Sequence, residues 1–163
     1  MTDRFERMGE EHRSSVVSLF NHYVLEGFAA YAEEPVPPSF FDRLRSPTEG
    51  HVALVALDET GDVAGFGLLR PYHWAGTLRR TARVSYFLRP GQTRKGLGAQ
   101  LLARLTEVAR GLGTDNLVAD VSSLNEASLA FHQKQGFTER GRLMTVGRKR
   151  GHDFDVVLFQ KAI

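Results

Sequence analysis

The sequence predicts an α/β fold in which helices cover both faces of one mixed sheet. Three observations point there. Two apolar runs, Val52–Leu57 and Val63–Leu69, flank the turn Asp58-Glu59-Thr60-Gly61-Asp62, the pattern of a hairpin. A strand at Thr81–Leu88 enters a glycine-bearing turn, then a long amphipathic helix, then a second strand at Leu117–Val121. Two more strand-like runs close the chain. Hairpins mixed with a strand–helix–strand unit give a mixed sheet with helices on either side.

The elements follow in order. Glu11–Gly27 reads as a helix because Val16, Phe20, Tyr23 and Val24 recur at helical spacing. Pro35, Pro37 and Pro38 break the chain, and a short helix follows at Phe40–Leu44. After the hairpin, Pro71–Arg80 is a loop carrying Tyr72, His73 and Trp74. Thr81–Leu88 alternates as a strand and stops at Pro90. The next helix has the apolar stripe Leu97, Leu101, Leu105, Val108 and Leu112, and Gly113 ends it. Asn125 caps a short helix that runs to Gln135, and Phe137–Val146 and Phe154–Gln160 are the closing strands. With no repeat, low-complexity tract or linker, residues 1–163 read as one domain.

Bulk properties exclude several classes. Hydrophobic residues are 42% and charged residues 25%, an ordinary globular balance. A net charge of +2 is too small to point to nucleic acid. The absence of cysteine excludes disulfides, thiolate metal sites and cysteine nucleophiles. No histidine pair has metal spacing beside carboxylates, so no metal is expected. Met1–Gly9 is polar and not a signal peptide, and no apolar run nears the ~20 residues that span a bilayer. The expectation is a cytoplasmic protein with no membrane partner. Basic residues cluster at Arg79-Arg80, Arg94-Lys95 and Arg148-Lys149-Arg150, each a solvated surface or an anion site.

The stretch Tyr86-Phe87-Leu88-Arg89-Pro90-Gly91-Gln92-Thr93-Arg94-Lys95-Gly96-Leu97-Gly98 carries the chemistry. A strand ends, a glycine turn follows and a helix begins, so free N–H groups and the helix dipole converge on one point. That geometry suits a pyrophosphate, with Arg94 and Lys95 at the rim. A plain strand-to-helix turn is the alternative. Gly91 and Gly96 have Walker A spacing, but Leu97-Gly98 stands where Lys-Ser/Thr is required. A Rossmann fingerprint needs glycine at Leu101.

A second segment, Asn125-Glu126-Ala127-Ser128-Leu129-Ala130-Phe131-His132-Gln133-Lys134-Gln135-Gly136-Phe137, follows at the spacing of a known pair. Together with Asn21-His22-Tyr23-Val24, Glu34-Pro35-Val36, Gly141-Arg142-Leu143, Val146-Gly147-Arg148-Lys149 and Asp155-Val156-Val157-Leu158, the chain resembles the GCN5-related N-acetyltransferase (GNAT) superfamily, in its phosphinothricin acetyltransferase-like branch. The resemblance spans about Asn21 to Lys161.

It implies a mostly antiparallel, seven-stranded sheet splayed between its fourth and fifth strands, where the pantetheine arm of acetyl-CoA enters. It implies direct transfer of acetyl to a small amino-acid-like amine, and often a homodimer. Cofactor contacts fall on Phe87, Leu88, Gln92, Thr93, Arg94, Lys95, Gly96, Leu97, Gly98, Asn125 and Ser128. A backbone N–H near Phe87 or Leu88 would stabilise the oxyanion. His132 would protonate the leaving thiolate, line the acyl site, or be a helix-surface histidine. Asn125 would bind pantetheine, cap its helix, or both.

The departures lie mainly at the acceptor end. Thr93 stands where the family has Gln or Arg, Arg83 where the branch has Glu, and Leu78 where a loop tyrosine is common. Arg83 cannot be a base. It would bind a substrate carboxylate or pair with Glu33 or Glu34. Glu34, or Glu33, would then take the amine proton, and Tyr72 and His73 would wall the pocket. Two other readings remain open: a non-catalytic acyl-CoA sensor, and acetylation of protein amino groups.

Overall fold

The computed structural model describes residues 4–46 and 49–163. Its strands are β1 (Arg4–Arg7), β2 (Val52–Leu57), β3 (Val63–Pro71), β4 (Thr81–Leu88), β5 (Asn116–Ser122), β6 (Thr138–Lys149) and β7 (His152–Ala162). Its helices are α1 (Arg13–Leu25), α2 (Phe40–Arg45), α3 (Leu97–Gly111) and α4 (Glu126–Lys134). The strands form one seven-stranded sheet in the order β1-β2-β3-β4-β5-β7-β6. Every pairing is antiparallel except β4 with β5.

Two cores hold the layers. On one face Val16, Phe20 and Val24 of α1 and Phe41 and Leu44 of α2 pack on Val55, Phe66 and Leu68. On the other, Leu101, Leu102, Leu105 and Ala109 of α3 pack on Leu69, Val84, Leu117 and Phe159. Burying each leucine contributes about 1.5–3 kcal/mol of transfer free energy.

The sequence missed β1. Its Arg-Phe-Glu-Arg has one apolar residue, and as a short edge strand it needs no more than Phe5 packed on the core. The α3 stripe also differs. Leu112 lies beyond the last helical residue and is 53% exposed, while Leu102 and Ala109 are buried.

The feature that positions the site is a break in the sheet. β4 and β5 pair only over Thr81–Arg83 with Asn116–Val118. Beyond Arg83, β4 stays with β3 up to Leu88, and beyond Val118, β5 stays with β7 up to Ser122. Two halves of the sheet therefore diverge and leave a wedge between them.

Candidate active site

The wedge is lined by Ala29, by Val84 to Phe87 of β4, by Ala119 to Ser122 of β5, and by Asn125, Ser128 and His132. The hydrogen-bond phase of each strand decides what faces it. The Arg89 N–H donates to Ala64 O at 2.8 Å and the Tyr72 N–H to Thr81 O at 3.2 Å, so the odd-numbered residues of β4 bond β3. The Val84 C=O and the N–H and C=O groups of Tyr86 and Leu88 therefore point into the wedge, while the Val84 N–H completes the pairing with β5. On β5, the Ser123 N–H donates to Asp155 O at 2.8 Å, which turns the backbone of Asp120 and the Ser122 N–H to the wedge, while the Ser122 carbonyl accepts the Asn125 N–H at 3.0 Å. Two open strand edges thus offer donors and acceptors to an extended amide-bearing chain. The expectation for Phe87 needs correction, because its N–H is committed to β3. Leu88 has the phase required, and its carbonyl already accepts the Tyr23 hydroxyl at 2.5 Å. The Phe87 ring instead joins the α1 core, 5.3 Å from Phe20 and 5.2 Å from Phe66.

At the wedge's end lies the turn before α3. Arg94 (φ 65°) and Gly96 (φ 86°) are left-handed. Among the described residues, no hydrogen bond is formed by the backbone N–H groups of Thr93 through Ala99, and the first turn of α3 has no side-chain cap. A Cβ on Gly96 would meet nothing within 4 Å, so the cradle is open on that side. Gln92, Thr93, Arg94 and Lys95 line its outer, solvent-reachable edge. Leu97 is 1% exposed and contributes its backbone alone. A Cβ on Gly98 would lie 3.2 Å from Phe131 and 3.4 Å from Leu88, so this glycine serves helix packing rather than anion approach. The donor set fits a diphosphate: consecutive free N–H groups, a helix N-terminus and two cations.

His132 is no surface residue. It is 3% exposed and lies between the rings of Tyr86 and Phe159, 5.5 and 5.4 Å away. Its Nδ1–H donates to Ser128 O at 2.7 Å, which fixes the tautomer. Nε2 is then an acceptor and takes the Tyr86 hydroxyl at 2.5 Å. Burial holds the imidazole pKa below its usual value, partly offset by the Ser128 carbonyl, and burial pushes the Tyr86 phenol well up. The resting pair is therefore neutral. Asn125 caps α4, its Oδ1 accepting the Ser128 N–H at 3.2 Å, and it also borders the wedge.

At the acceptor end, Arg83 pairs with neither Glu33 nor Glu34. Its Nη1 donates to Asp120 Oδ2 at 2.5 Å across the mouth of the wedge. Its guanidinium lies 5.9 Å from the Tyr72 ring. Glu34 is exposed and outside the residues that line the wedge. His73 lies outside the residues that line the wedge and accepts the Ala75 N–H on its Nδ1. Asp120 was missed because Leu117–Val121 reads as a buried strand. A carboxylate inside such a strand was the available signal.

The segment between α1 and α2 borders this end through Ala29 and is tied down from the β6–β7 turn. Lys149, 1% exposed, donates to Ala30 O at 2.7 Å, and Arg150 donates to Leu25 O at 2.8 Å. Burial lowers the Lys149 pKa, and the charge of Glu33 opposes this. Glu6, Glu11 and His12, a cluster with one histidine rather than a pair, converge outside the residues that line the wedge, and His12 Nδ1 already accepts the Gly9 N–H at 2.9 Å.

Residues 16–137 match the family described as Acetyltransferase (GNAT). The chain belongs to this acetyltransferase family. It is 34% identical over 150 residues to an L-methionine sulfoximine/L-methionine sulfone acetyltransferase of Pseudomonas paraeruginosa, covering 89% of this chain and 86% of the relative. Among solved structures, this GNAT chain superposes on a phosphinothricin acetyltransferase of Sinorhizobium meliloti in complex with acetyl-CoA. There the TM-score is 0.90 at 26% identity, covering 100% of this chain and 89% of that one. A ribosomal-protein-alanine N-acetyltransferase from Brucella melitensis gives a TM-score of 0.89 at 28% identity, covering 98% and 99%. Among the described residues, no helix of this GNAT protein is long and apolar enough to cross a membrane.

Proposed function

We propose that the chain transfers the acetyl group of acetyl-CoA directly to the amine of a small amino-acid-like acceptor. The observation that carries this is the β4–β5 wedge, whose open edges run toward the uncapped turn at Gly96. The relatives that acetylate amino-acid analogues support it. Acetyl-CoA supplies an activated thioester carbonyl. Backbone N–H groups from Thr93 to Ala99, with Arg94 and Lys95, hold its diphosphate. The open edges of Tyr86, Leu88, Asp120 and Ser122 bind the pantetheine amides, with Asn125 and Ser128 beside them. The Leu88 N–H is the oxyanion donor that the strand phase permits. Tyr86, its hydroxyl donated to His132 Nε2, lines the wedge beside the departing sulfur, and the hydroxyl serves the sulfur only on turning from that nitrogen.

The proposed setting is the cytoplasm, and the proposed assembly is a homodimer. Edge strand β6 supports the latter by exposing Leu143, Met144 and Val146. Met144→Lys should then convert a dimer to a monomer in light scattering, and an unchanged mass would end that reading.

The test is a thermal scan with acetyl-CoA followed by thiol release across an amine panel. Acetyl-CoA at about 100 times its Kd should stabilise the protein by about 2.7 kcal/mol. L-methionine sulfone should release CoA faster than peptides bearing N-terminal alanine, because the tethered segment at Ala29–Ala30 narrows the acceptor end. Peptide preference would favour protein acetylation. Binding without release for any amine would favour a sensor.

A further inference from the structure

Resting on the amino-acid-like acceptor proposed above, we propose that Arg83 and Asp120 form a charge pair that the acceptor opens. Arg83, with Arg70, takes the acceptor's carboxylate. Asp120 receives its ammonium and removes the proton.

The argument begins with the strand phase. Arg70 of β3 and Arg83 of β4 are directly opposed and share the face that carries Leu68 and Phe87. Like charges in that relation repel. Arg43 adds its charge to Arg70 from α2. The Arg70 side chain forms no hydrogen bond or ion pair with the described residues, and its Nε is buried without a partner. Against these cations, Asp120 is the one carboxylate among the described residues lining the wedge. It faces the same side, because Leu117, Ala119 and Val121 fill the opposite core. The site as it stands therefore lacks an anion.

The existing pair is suited to exchange. Its side chains are 44% and 25% exposed, so an acceptor can reach them. One guanidinium nitrogen bonds one carboxylate oxygen, and Asp120 Oδ1 has no partner among the described residues. An α-amino acid carries both complementary groups a few bonds apart. Its carboxylate can bridge Arg83 and Arg70, which a single aspartate cannot do. Asp120 loses its cation in the exchange and is left facing the acceptor's ammonium.

The chemistry balances. Asp120 takes one proton from the ammonium. The nitrogen lone pair then forms the C–N bond at the thioester carbonyl, and the C–S pair leaves with sulfur. The nitrogen sheds a second proton as the amide forms, and this proton ends on the thiolate as CoASH. Asp120 returns the first proton to solvent. This arrangement places the carboxylate on β5, where the branch pattern has it on β4, and leaves no catalytic task for Glu34.

The experiment compares L-methionine sulfone with its methyl ester in Asp120→Asn, Asp120→Glu, Arg83→Gln and Arg70→Gln, each first shown to keep the thermal shift with acetyl-CoA. Asp120→Asn should lower kcat for both acceptors by about 100-fold or more, the scale of a lost general base. Asp120→Glu should restore part of it. Arg83→Gln and Arg70→Gln should raise KM for the free acid at least about tenfold and change that for the ester less than about threefold, a uniform-binding loss confined to the carboxylate. If Asp120→Asn keeps kcat within about threefold, or both arginine variants weaken acid and ester alike, the proposal falls while the acetyltransferase reading stands. A wild-type enzyme idle on every amine overturns both.

Discussion

Gly96→Asp should abolish acetyl-CoA binding at concentrations that saturate Gly96→Asn. The two side chains are nearly isosteric, and nothing lies within 4 Å of the added Cβ, so both fit the space. Both must adopt φ near 86°, which costs an L-residue roughly 1–2 kcal/mol and an asparagine less. Their difference is charge. A unit charge about 4 Å from one phosphate costs about 1 kcal/mol in water and about 4 kcal/mol at an effective dielectric of 20. Against two phosphates, the Kd ratio between the variants should exceed about 30-fold at low salt and shrink as salt is added. Titration calorimetry measures it. Equal Kd values for the two folded variants would remove the diphosphate from this turn. Gly98 is unsuited to the test, since any side chain there meets Phe131 and Leu88 first.

His132→Phe should destabilise the protein and flatten its loss of stability in acid. The variant leaves the Tyr86 hydroxyl and the Ser128 carbonyl without their imidazole partner, which costs about 1–3 kcal/mol when groups are buried. The folded-state pKa of His132 lies below 6.5, so between that value and 6.5 the unfolded chain binds more protons. Wild-type stability therefore falls as pH drops through this window and is level above it. His51, also depressed by burial, gives the same slope and accounts for the part that remains in the variant. Thermal unfolding between pH 5 and 8 should show the difference, as chosen bounds about the ordinary histidine value. Identical slopes in the two proteins would mean that His132 titrates normally. In catalysis, Tyr86→Phe and His132→Phe should each lower kcat by less than the ~100-fold of a group that delivers the proton itself. The double variant should be no worse than either, because the pair acts as one unit.

What the sequence revealed follows from where its signals are local. β2 and β4 were legible to the residue because apolar runs and alternation end at turn residues or proline. The cradle was legible because a strand, a glycine turn and a helix are contiguous. Asn125 was legible as a cap because the cap acts three residues away. The acceptor end was not, because it is assembled across the sheet. The Arg83–Asp120 contact joins residues 37 positions apart, and Lys149 reaches Ala30 over 119. Nor does composition tell which half of a strand's amides faces a neighbour. That phase is set by β3 and β7, and of the two candidates Phe87 and Leu88 only Leu88 has its N–H turned to the wedge.

The same phase leaves a signature in amide hydrogen exchange. Along β4, the N–H groups of Arg83, Ser85 and Phe87 are bonded to β3 and that of Val84 to β5, whereas those of Tyr86 and Leu88 face the wedge. Along β5, Ala119 and Val121 are bonded to β7, whereas Asp120 and Ser122 are not. The free protein should therefore show alternate slow and fast deuterium uptake along two strands in the middle of its sheet, where central strands ordinarily exchange last. A bound pantetheine arm would occupy the open edges and silence the fast sites alone.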